Sequence, residues 1–150
     1  MVQLRLKKDQ RVELLRGVDL FSRCSKRELT HLASLTTEHN AKAGSVLAEQ
    51  GKPGLEFFVI VDGAATAFRN GVQLTTLGPG SFFGELALLD GEERTATVEA
   101  ESDIRLLVLT RQEFQSLQLL APSVIYKMLV EIGSRLRKAD VMLDGGYLVV

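Results

Sequence analysis

The sequence predicts a mainly β fold, an antiparallel β-roll or jelly-roll barrel with helices on both sides. Between about residues 44 and 109, short apolar stretches are separated by turns rich in glycine, asparagine and aspartate, which is typical of antiparallel strands. Before and after this region the apolar residues recur at three- and four-residue intervals, as in an amphipathic helix. The length of 150 residues is that of one ordinary domain. We therefore expect a single domain over residues 1–150.

The segment before the roll, about residues 10–40, is predicted to form the N-terminal helices. Ser25 and Glu28 have the spacing of a capping box, in which each side chain accepts a hydrogen bond from a backbone N–H at the start of a helix. Leu29 and Leu32 follow on one face of that helix. We expect this face to lie on the core.

Six strands are predicted in the roll itself. They cover residues 45–49, 56–61, 64–69, 72–76, 95–100 and 103–109. Two of the turns between them, Asp62-Gly63 and Asn70-Gly71, suit tight hairpins, because glycine adopts a positive φ without a Cβ clash and Asp and Asn tolerate one.

The segment after the roll, about residues 110–140, is predicted to form two C-terminal helices, followed by a tail over residues 141–150. Thr110 with Glu113 predicts the start of the first helix, and Pro122 suits the first turn of the second. The second helix carries an apolar stripe of Val124, Ile125, Met128, Leu129, Ile132 and Leu136. We expect this stripe to pack on the barrel of its own chain, with a dimer seam as the alternative.

The composition excludes several classes of function. Lys and Arg total 18 against 19 Asp and Glu, so no overall field favours nucleic acid. The single cysteine, Cys24, excludes an internal disulfide and fits the reducing cytoplasm. The longest apolar run, Phe57 to Val61, is far below the ~20 residues of a membrane helix, and the N-terminus is too charged for a signal peptide. We expect a cytoplasmic protein or an excised domain of a larger one.

The segment from Gly80 to Val98 interrupts the strand rhythm and carries the chemistry. Gly84 permits a close backbone approach, and Glu85 to Leu89 suits one short helical turn whose unpaired N–H groups face an anion. Arg94 adds a planar guanidinium that binds two phosphate oxygens at once. A carboxylate beside a phosphate site is explained if Glu85 accepts a hydrogen bond from a ribose hydroxyl. The segment therefore predicts a sugar-phosphate site.

The run Phe83 to Leu89, followed by Arg94 to Val98, resembles the phosphate-binding cassette of the cyclic nucleotide-binding domain family, and the likeness extends over about residues 20–140. The resemblance implies that Glu85 binds the ribose 2′-hydroxyl and that Arg94 binds the cyclic phosphate. It also implies that the N–H groups around Gly84, Leu86 and Ala87 complete the cradle.

The resemblance leaves the purine open. Thr95 stands where cAMP-regulated kinase subunits often carry alanine and cGMP-responsive proteins threonine, but bacterial cAMP sensors also carry a hydroxyl there, so we expect cAMP, narrowly, over cGMP. Glu93 departs from the proline common in eukaryotic members and adds a negative charge beside Arg94. The family often caps the base from its last helix or tail, for which Arg135 and Tyr147 are the candidates.

The resemblance implies a non-catalytic sensor, in which ligand orders the cassette and the C-terminal helices move as a lid. About ten residues follow Asp140, so we expect no DNA-reading helix, and the output is expected to pass to an effector protein or a second copy through the C-terminal helix. We expect no metal and no cofactor, because His31 and His39 lie outside the roll with no further ligands beside them. The alternative is a degenerate β-roll that serves as a protein-interaction platform and binds no nucleotide.

Overall fold

The computed structural model describes residues 4–142, which form two four-stranded antiparallel sheets with helices packed on one of them. The strands are β1 (Thr37–Ala41), β2 (Val46–Ala48), β3 (Glu56–Asp62), β4 (Ala65–Arg69), β5 (Val72–Leu77), β6 (Phe82–Phe83), β7 (Thr97–Ala100) and β8 (Ile104–Thr110). The helices are α1 (Lys8–Arg16), α2 (Lys26–Ser34), α3 (Leu86–Leu89), α4 (Arg111–Leu120) and α5 (Pro122–Met142), and a 3₁₀ turn covers Asp19–Phe21.

The two sheets combine strands that are distant in the sequence. One sheet has the order β1-β8-β3-β6 and the other the order β2-β7-β4-β5. The chain therefore crosses repeatedly between the sheets, which makes the fold the predicted β-roll with flanking helices.

The strands β3 and β8 are buried on both faces, which explains their continuous apolar sequences. Successive side chains of a strand point to opposite faces. In β3, Phe57 and Val59 face the helices, whereas Phe58 and Ile60 lie between the two sheets. This sheet thus divides the core into a layer under the helices and a layer inside the roll.

Two strands were absent from the sequence prediction. Residues 37–41, which we expected within the helical N-terminal part, form β1 and pair with β8 from Thr37↔Val108 to Ala41↔Ile104. This edge strand is largely polar and partly exposed, so its sequence has no apolar alternation to mark it. The second missed strand, β6, has only two residues and pairs with β3.

One predicted hairpin is confirmed and one is wrong. Asn70 and Gly71 have φ angles of 52° and 78°, and they join the paired strands β4 and β5. Asp62-Gly63 instead carries the chain from one sheet to the other, since β3 and β4 lie in different sheets. Gly63 has a φ of 94°, and a Cβ there would stand 2.5 Å from the Asp103 carbonyl oxygen. Gly63 is therefore required as predicted, but it allows the chain to pass from one sheet to the other and does not form a hairpin turn.

The predicted helix starts are confirmed. Ser25 and Glu28 form the capping box of α2, the Thr110 hydroxyl accepts the Glu113 N–H at the start of α4, and α5 begins at Pro122.

The apolar stripe of α5 is divided between buried and exposed residues. Val124 and Met128 are buried in the helical layer, where α5 packs against the 3₁₀ turn and α4. Leu129 and Leu136 are 60% and 42% exposed. In its first half the stripe packs mainly on other helical elements, within the same core layer as Phe57 and Leu107 of the sheet, and the dimer seam stays a prediction.

Candidate ligand-binding site

A cavity of about 380 Å³ opens beside the segment that the sequence singles out, within the range of roughly 300–1,000 Å³ usual for small-molecule sites. The six residues that the sequence places around the sugar-phosphate all line it, namely Gly84, Glu85, Leu86, Ala87, Arg94 and Thr95. The remaining lining residues are Ala48, Ala67, Thr75, Leu77, Phe82, Phe83, Asp90, Glu92, Glu93, Ala96 and Val98. The cavity thus has an apolar floor from the sheets and a polar rim from the segment between β6 and β7.

The strand pair β3–β6 fixes the start of this segment. Phe83 pairs with Phe58, and their rings stack with centroids 4.8 Å apart. Gly84 then turns the chain out of the sheet with a φ of 81°, a conformation that other residues rarely adopt. Glu85 follows as the N-cap of α3. Glu85 is thereby placed at the rim of the cavity.

The backbone N–H groups of the short helix are engaged unequally. The Ala87 N–H donates to the Gly84 carbonyl at 3.1 Å, and the Leu88 N–H donates to the Glu85 carbonyl at 3.2 Å. The Leu86 N–H has no backbone acceptor among residues 4–142, as expected at the first position of a helix. The family resemblance implies both the Leu86 and the Ala87 N–H groups as donors to the ligand. Of these two, only the Leu86 N–H is available for this, because the Ala87 N–H already bonds to Gly84 within the turn.

The backbone of Arg94 is held by an earlier loop of the chain, at residues 51 and 52. The Arg94 N–H donates to the Lys52 carbonyl at 2.8 Å, and the Gly51 N–H donates to the Arg94 carbonyl at 2.9 Å. One step before, the Gly54 N–H donates to the Glu92 carbonyl at 3.0 Å. These antiparallel bonds fix the direction in which the Arg94 side chain leaves the backbone.

The side chain of Arg94 lies in a slot between two glycines. A Cβ on Gly84 would stand 2.5 Å from Nη1 of Arg94, and a Cβ on Gly54 would stand 3.0 Å from its Nε. The Phe58 ring closes a further side, with its centroid 5.7 Å from Cζ. The slot thus accepts the planar guanidinium only because two side chains are missing around it.

The guanidinium has no anionic partner in the part of the chain that the structure describes. Nη1 of Arg94 is buried and has no hydrogen-bond acceptor there, and none of the ion pairs within 4 Å includes Arg94. Burial lowers the pKa of Arg94, an effect that the Glu56 carboxylate opposes, but a guanidinium stays protonated at any physiological pH. A buried, charged donor without an acceptor is costly, so the geometry favours an anion in the cavity.

Glu85 is also unpaired within residues 4–142. Its carboxylate makes no capping hydrogen bond to α3 and joins none of the ion pairs. A carboxylate and a guanidinium thus line one cavity without forming an ion pair with each other. Such an arrangement suits a ligand with an anionic group and a hydroxyl donor.

The two residues beside Arg94 are exposed at the rim. Glu93 forms an isolated bridge with Pro53, and the Thr95 carbonyl accepts a hydrogen bond from Nε of Arg69 at 2.9 Å. The backbone at both positions is therefore held, while both residues line the cavity.

Arg135, one of the two predicted base caps, is not among the described residues that line the cavity. Nε of Arg135 stands 3.7 Å from Oε1 of Glu131, whose other carboxylate oxygen is 3.2 Å from Nε of Arg23. Tyr147 lies outside the described residues. Base capping by either residue stays a prediction.

Gly54 and Phe58 were not identified as site residues from the sequence. Pro53-Gly54 has the pattern of any turn, and Phe58 stands in an apolar strand. Their role follows from the pairing of residues 51–54 with residues 92–94. This pairing is a tertiary contact, and no pattern in the sequence indicates it.

Residues 4–142 contain no group of three or more His, Cys, Asp and Glu side chains arranged to hold a metal ion. Within the same residues, no helix is both long and apolar enough to cross a membrane.

Comparisons with known proteins agree on one family. The family model described as "Cyclic nucleotide-binding domain" matches residues 38–119. A cyclic nucleotide-gated potassium channel of Mesorhizobium japonicum is 36% identical over 113 residues, covering 75% of this chain and 31% of the channel. The cyclic AMP receptor protein of Thermus thermophilus is 31% identical over 135 residues, covering 87% of this chain and 62% of the receptor. The chain therefore spans about a third of the first relative and less than two thirds of the second.

The fold has close structural neighbours as well. The N-terminal domain of a transcriptional regulator from Streptomyces coelicolor superposes with a TM-score of 0.79 and 29% identity, covering 85% of this chain and 94% of that domain.

Proposed function

The chain belongs to the cyclic nucleotide-binding domain family, and from this membership we propose that it binds cAMP or cGMP as a non-catalytic regulatory module. The observation that carries the proposal is the buried Nη1 of Arg94, which has no acceptor among residues 4–142 and belongs to a residue that lines the cavity. A cyclic phosphate diester supplies one negative charge and two free oxygens, which match the fork of a guanidinium.

Glu85 completes the grip on the sugar. Its unpaired carboxylate accepts hydrogen bonds only, so it selects a hydroxyl donor such as the ribose 2′-hydroxyl over a second phosphate oxygen. The free N–H of Leu86 supports the same assignment, since Leu86 lines the cavity together with Arg94 and offers the phosphate a neutral donor. Carboxylate, amide and guanidinium together favour a sugar-phosphate over a bare phosphate.

We propose cAMP as the preferred nucleotide. One relative is a cyclic AMP receptor protein by name, which supports adenine, whereas the related channel is named only for cyclic nucleotides. Thr95 lines the cavity, and its hydroxyl is compatible with either purine.

The output of the module is proposed to pass through the C-terminal helices. Ligand would order the segment between β6 and β7, and α4 and α5 would then change position on the roll. Leu129 and Leu136 are among the exposed apolar residues of α5, on which an effector protein or a second copy would pack. We propose that this signalling takes place in the cytoplasm.

Isothermal titration calorimetry with cAMP, cGMP and 5′-AMP tests the proposal directly. We expect saturable binding of cAMP, weaker binding of cGMP and the weakest binding of 5′-AMP, whose open phosphate carries a second charge and a different shape. Absence of heat and of a thermal shift with both cyclic nucleotides at millimolar concentration would reject the proposal in favour of a nucleotide-free interaction platform.

A further inference from the structure

Arg111, the first residue of α4, packs its side chain against the loop that leads to Arg94. A Cβ on Gly91 would stand 3.1 Å from both Cδ and Nε of Arg111 and 3.3 Å from its Cζ. Gly91 has a φ of 64°. The Arg111 side chain therefore occupies the space beside this glycine, where any Cβ would be crowded.

The backbone of Arg111 is tied to the same region by a second route. Its N–H donates to the Leu55 carbonyl at 2.8 Å, while the adjacent Gly54 N–H donates to the Glu92 carbonyl at 3.0 Å. The Leu55 carbonyl thus holds the start of α4, and the neighbouring Gly54 N–H holds the loop before Arg94. The three segments meet at one junction.

The stability of α4 does not account for an arginine at this position. A cation in the first turn opposes the helix dipole, which favours acidic side chains there. Nε of Arg111 is buried without an acceptor among the described residues, and no carboxylate within 4 Å pairs with the side chain in that part of the chain. A buried polar atom without a partner calls for an explanation other than local stability.

We propose that Arg111 couples the nucleotide site to the C-terminal helices, an inference that rests on the proposed function of the cavity. A shift of Arg94 towards a bound phosphate moves the loop of residues 90–93, to which it is covalently joined. Gly91 then presses on or withdraws from the Arg111 side chain, and because Arg111 is the first residue of α4, the helix start follows. Arg111 acts as a positioning residue and does not itself touch the nucleotide.

Hydrogen–deuterium exchange on the full chain with saturating cAMP tests the coupling. In the wild-type protein we expect cAMP to slow exchange over residues 88–95 and to change exchange over residues 111–120. In Arg111→Gln, residues 88–95 should still be protected, but the cAMP-dependent change over residues 111–120 should be largely lost, because the contact between Arg111 and Gly91 is weakened.

The matched control is Arg27→Gln, which removes the same charge from an exposed site on α2. It should leave both responses unchanged. An unaltered response of residues 111–120 in Arg111→Gln, with cAMP bound, would overturn the coupling while leaving the proposed function intact. No response of the wild-type protein to cAMP or cGMP in either segment or in calorimetry would overturn the proposed function and the coupling with it.

Discussion

The guanidinium of Arg94 stands against the ring of Phe58, with Cζ 5.7 Å from the ring centroid. The negative face of an aromatic ring attracts a cation without neutralising it, as a carboxylate would. Phe58 therefore holds Arg94 in place while its full charge stays available to a ligand. A carboxylate in the place of this ring would compete with the phosphate for the same guanidinium.

Removing the guanidinium should weaken nucleotide binding. Charge-assisted hydrogen bonds contribute about 1.5–3 kcal/mol, so Arg94→Ala should lower the affinity for cAMP roughly tenfold to a hundredfold by calorimetry. Arg94→Lys should recover only part of this loss, because an ammonium group cannot bind two oxygens in one plane. Arg27→Gln, which changes an exposed arginine of α2, is the control and should bind as the wild-type protein does. Wild-type affinity in Arg94→Ala would contradict the assignment.

A methyl group on Gly84 should displace Arg94. Gly84 and Gly80 have φ angles of 81° and 85°, so alanine at either position strains the backbone by about 1 kcal/mol. Only at Gly84 would the new Cβ meet Nη1 of Arg94, at 2.5 Å, whereas the space around Gly80 is open. Gly84→Ala should therefore lose cAMP affinity as Arg94→Ala does, while Gly80→Ala loses stability alone. Thermal melts and calorimetry on both variants separate the two effects, and equal affinity of the pair would refute the slot.

The sequence was sufficient for the parts of the site that lie in one continuous segment. Glu85 and Arg94 stand nine positions apart within a glycine-bounded stretch, so their residue types and spacing already indicate a sugar-phosphate site. Gly54 and Phe58 come from an earlier turn and strand, and their role depends on the pairing of β3 with β6 and of residues 51–54 with residues 92–94. No local pattern carries that information.

The same distinction applies to the fold. Turn residues and helix caps are local, and they correctly predict the β4–β5 hairpin at Asn70-Gly71 and the starts of α2 and α4. The strand β1 is specified by its partner β8 instead of by its own apolar pattern, and the route of the chain at Gly63 depends on which sheet the next strand joins. Both depend on tertiary contacts.

The two halves of the α5 stripe should respond differently to truncation. Met128 is buried under the helical layer, so Met128→Ala should lower the free energy of unfolding by about 2–5 kcal/mol through loss of apolar contact and formation of a cavity. Leu129 is 60% exposed, and Leu129→Ala should change the same quantity by less than about 0.5 kcal/mol in the monomer. Urea denaturation measures both. A loss in Leu129→Ala that grows with protein concentration would instead show that this residue packs in a dimer seam.

The carboxylate of Glu28 should make the protein sensitive to acid. Burial raises the pKa of Glu28, but hydrogen bonds from Lys127, Ser123 and the backbone and side chain of Ser25 outweigh it and lower the pKa from 4.5 to about 2. Because the folded state holds this proton less tightly than the unfolded chain does, the stabilisation is fully present above about pH 4.5 and is lost as the pH falls towards 2. The free energy of unfolding should therefore decrease over this interval.

Glu28→Gln isolates this contribution. The amide keeps the shape of the side chain but loses the ion pair with Lys127, so the variant should be less stable by about 1.5–3 kcal/mol at neutral pH. The difference from the wild-type protein should shrink as the pH is lowered, since the wild-type carboxylate then becomes protonated as well. Burial raises the pKa of Glu38, and the Leu6 N–H and Arg105 lower it more strongly. Its contribution to the pH dependence is the same in both proteins and therefore cancels in the comparison.

Glu13→Gln, at an exposed pair with Arg16, is the control and should follow the wild-type curve within about 0.5 kcal/mol. Urea titrations at a series of pH values measure these differences, and a constant gap between Glu28→Gln and the wild-type protein would show that the ionisation of Glu28 does not stabilise the fold.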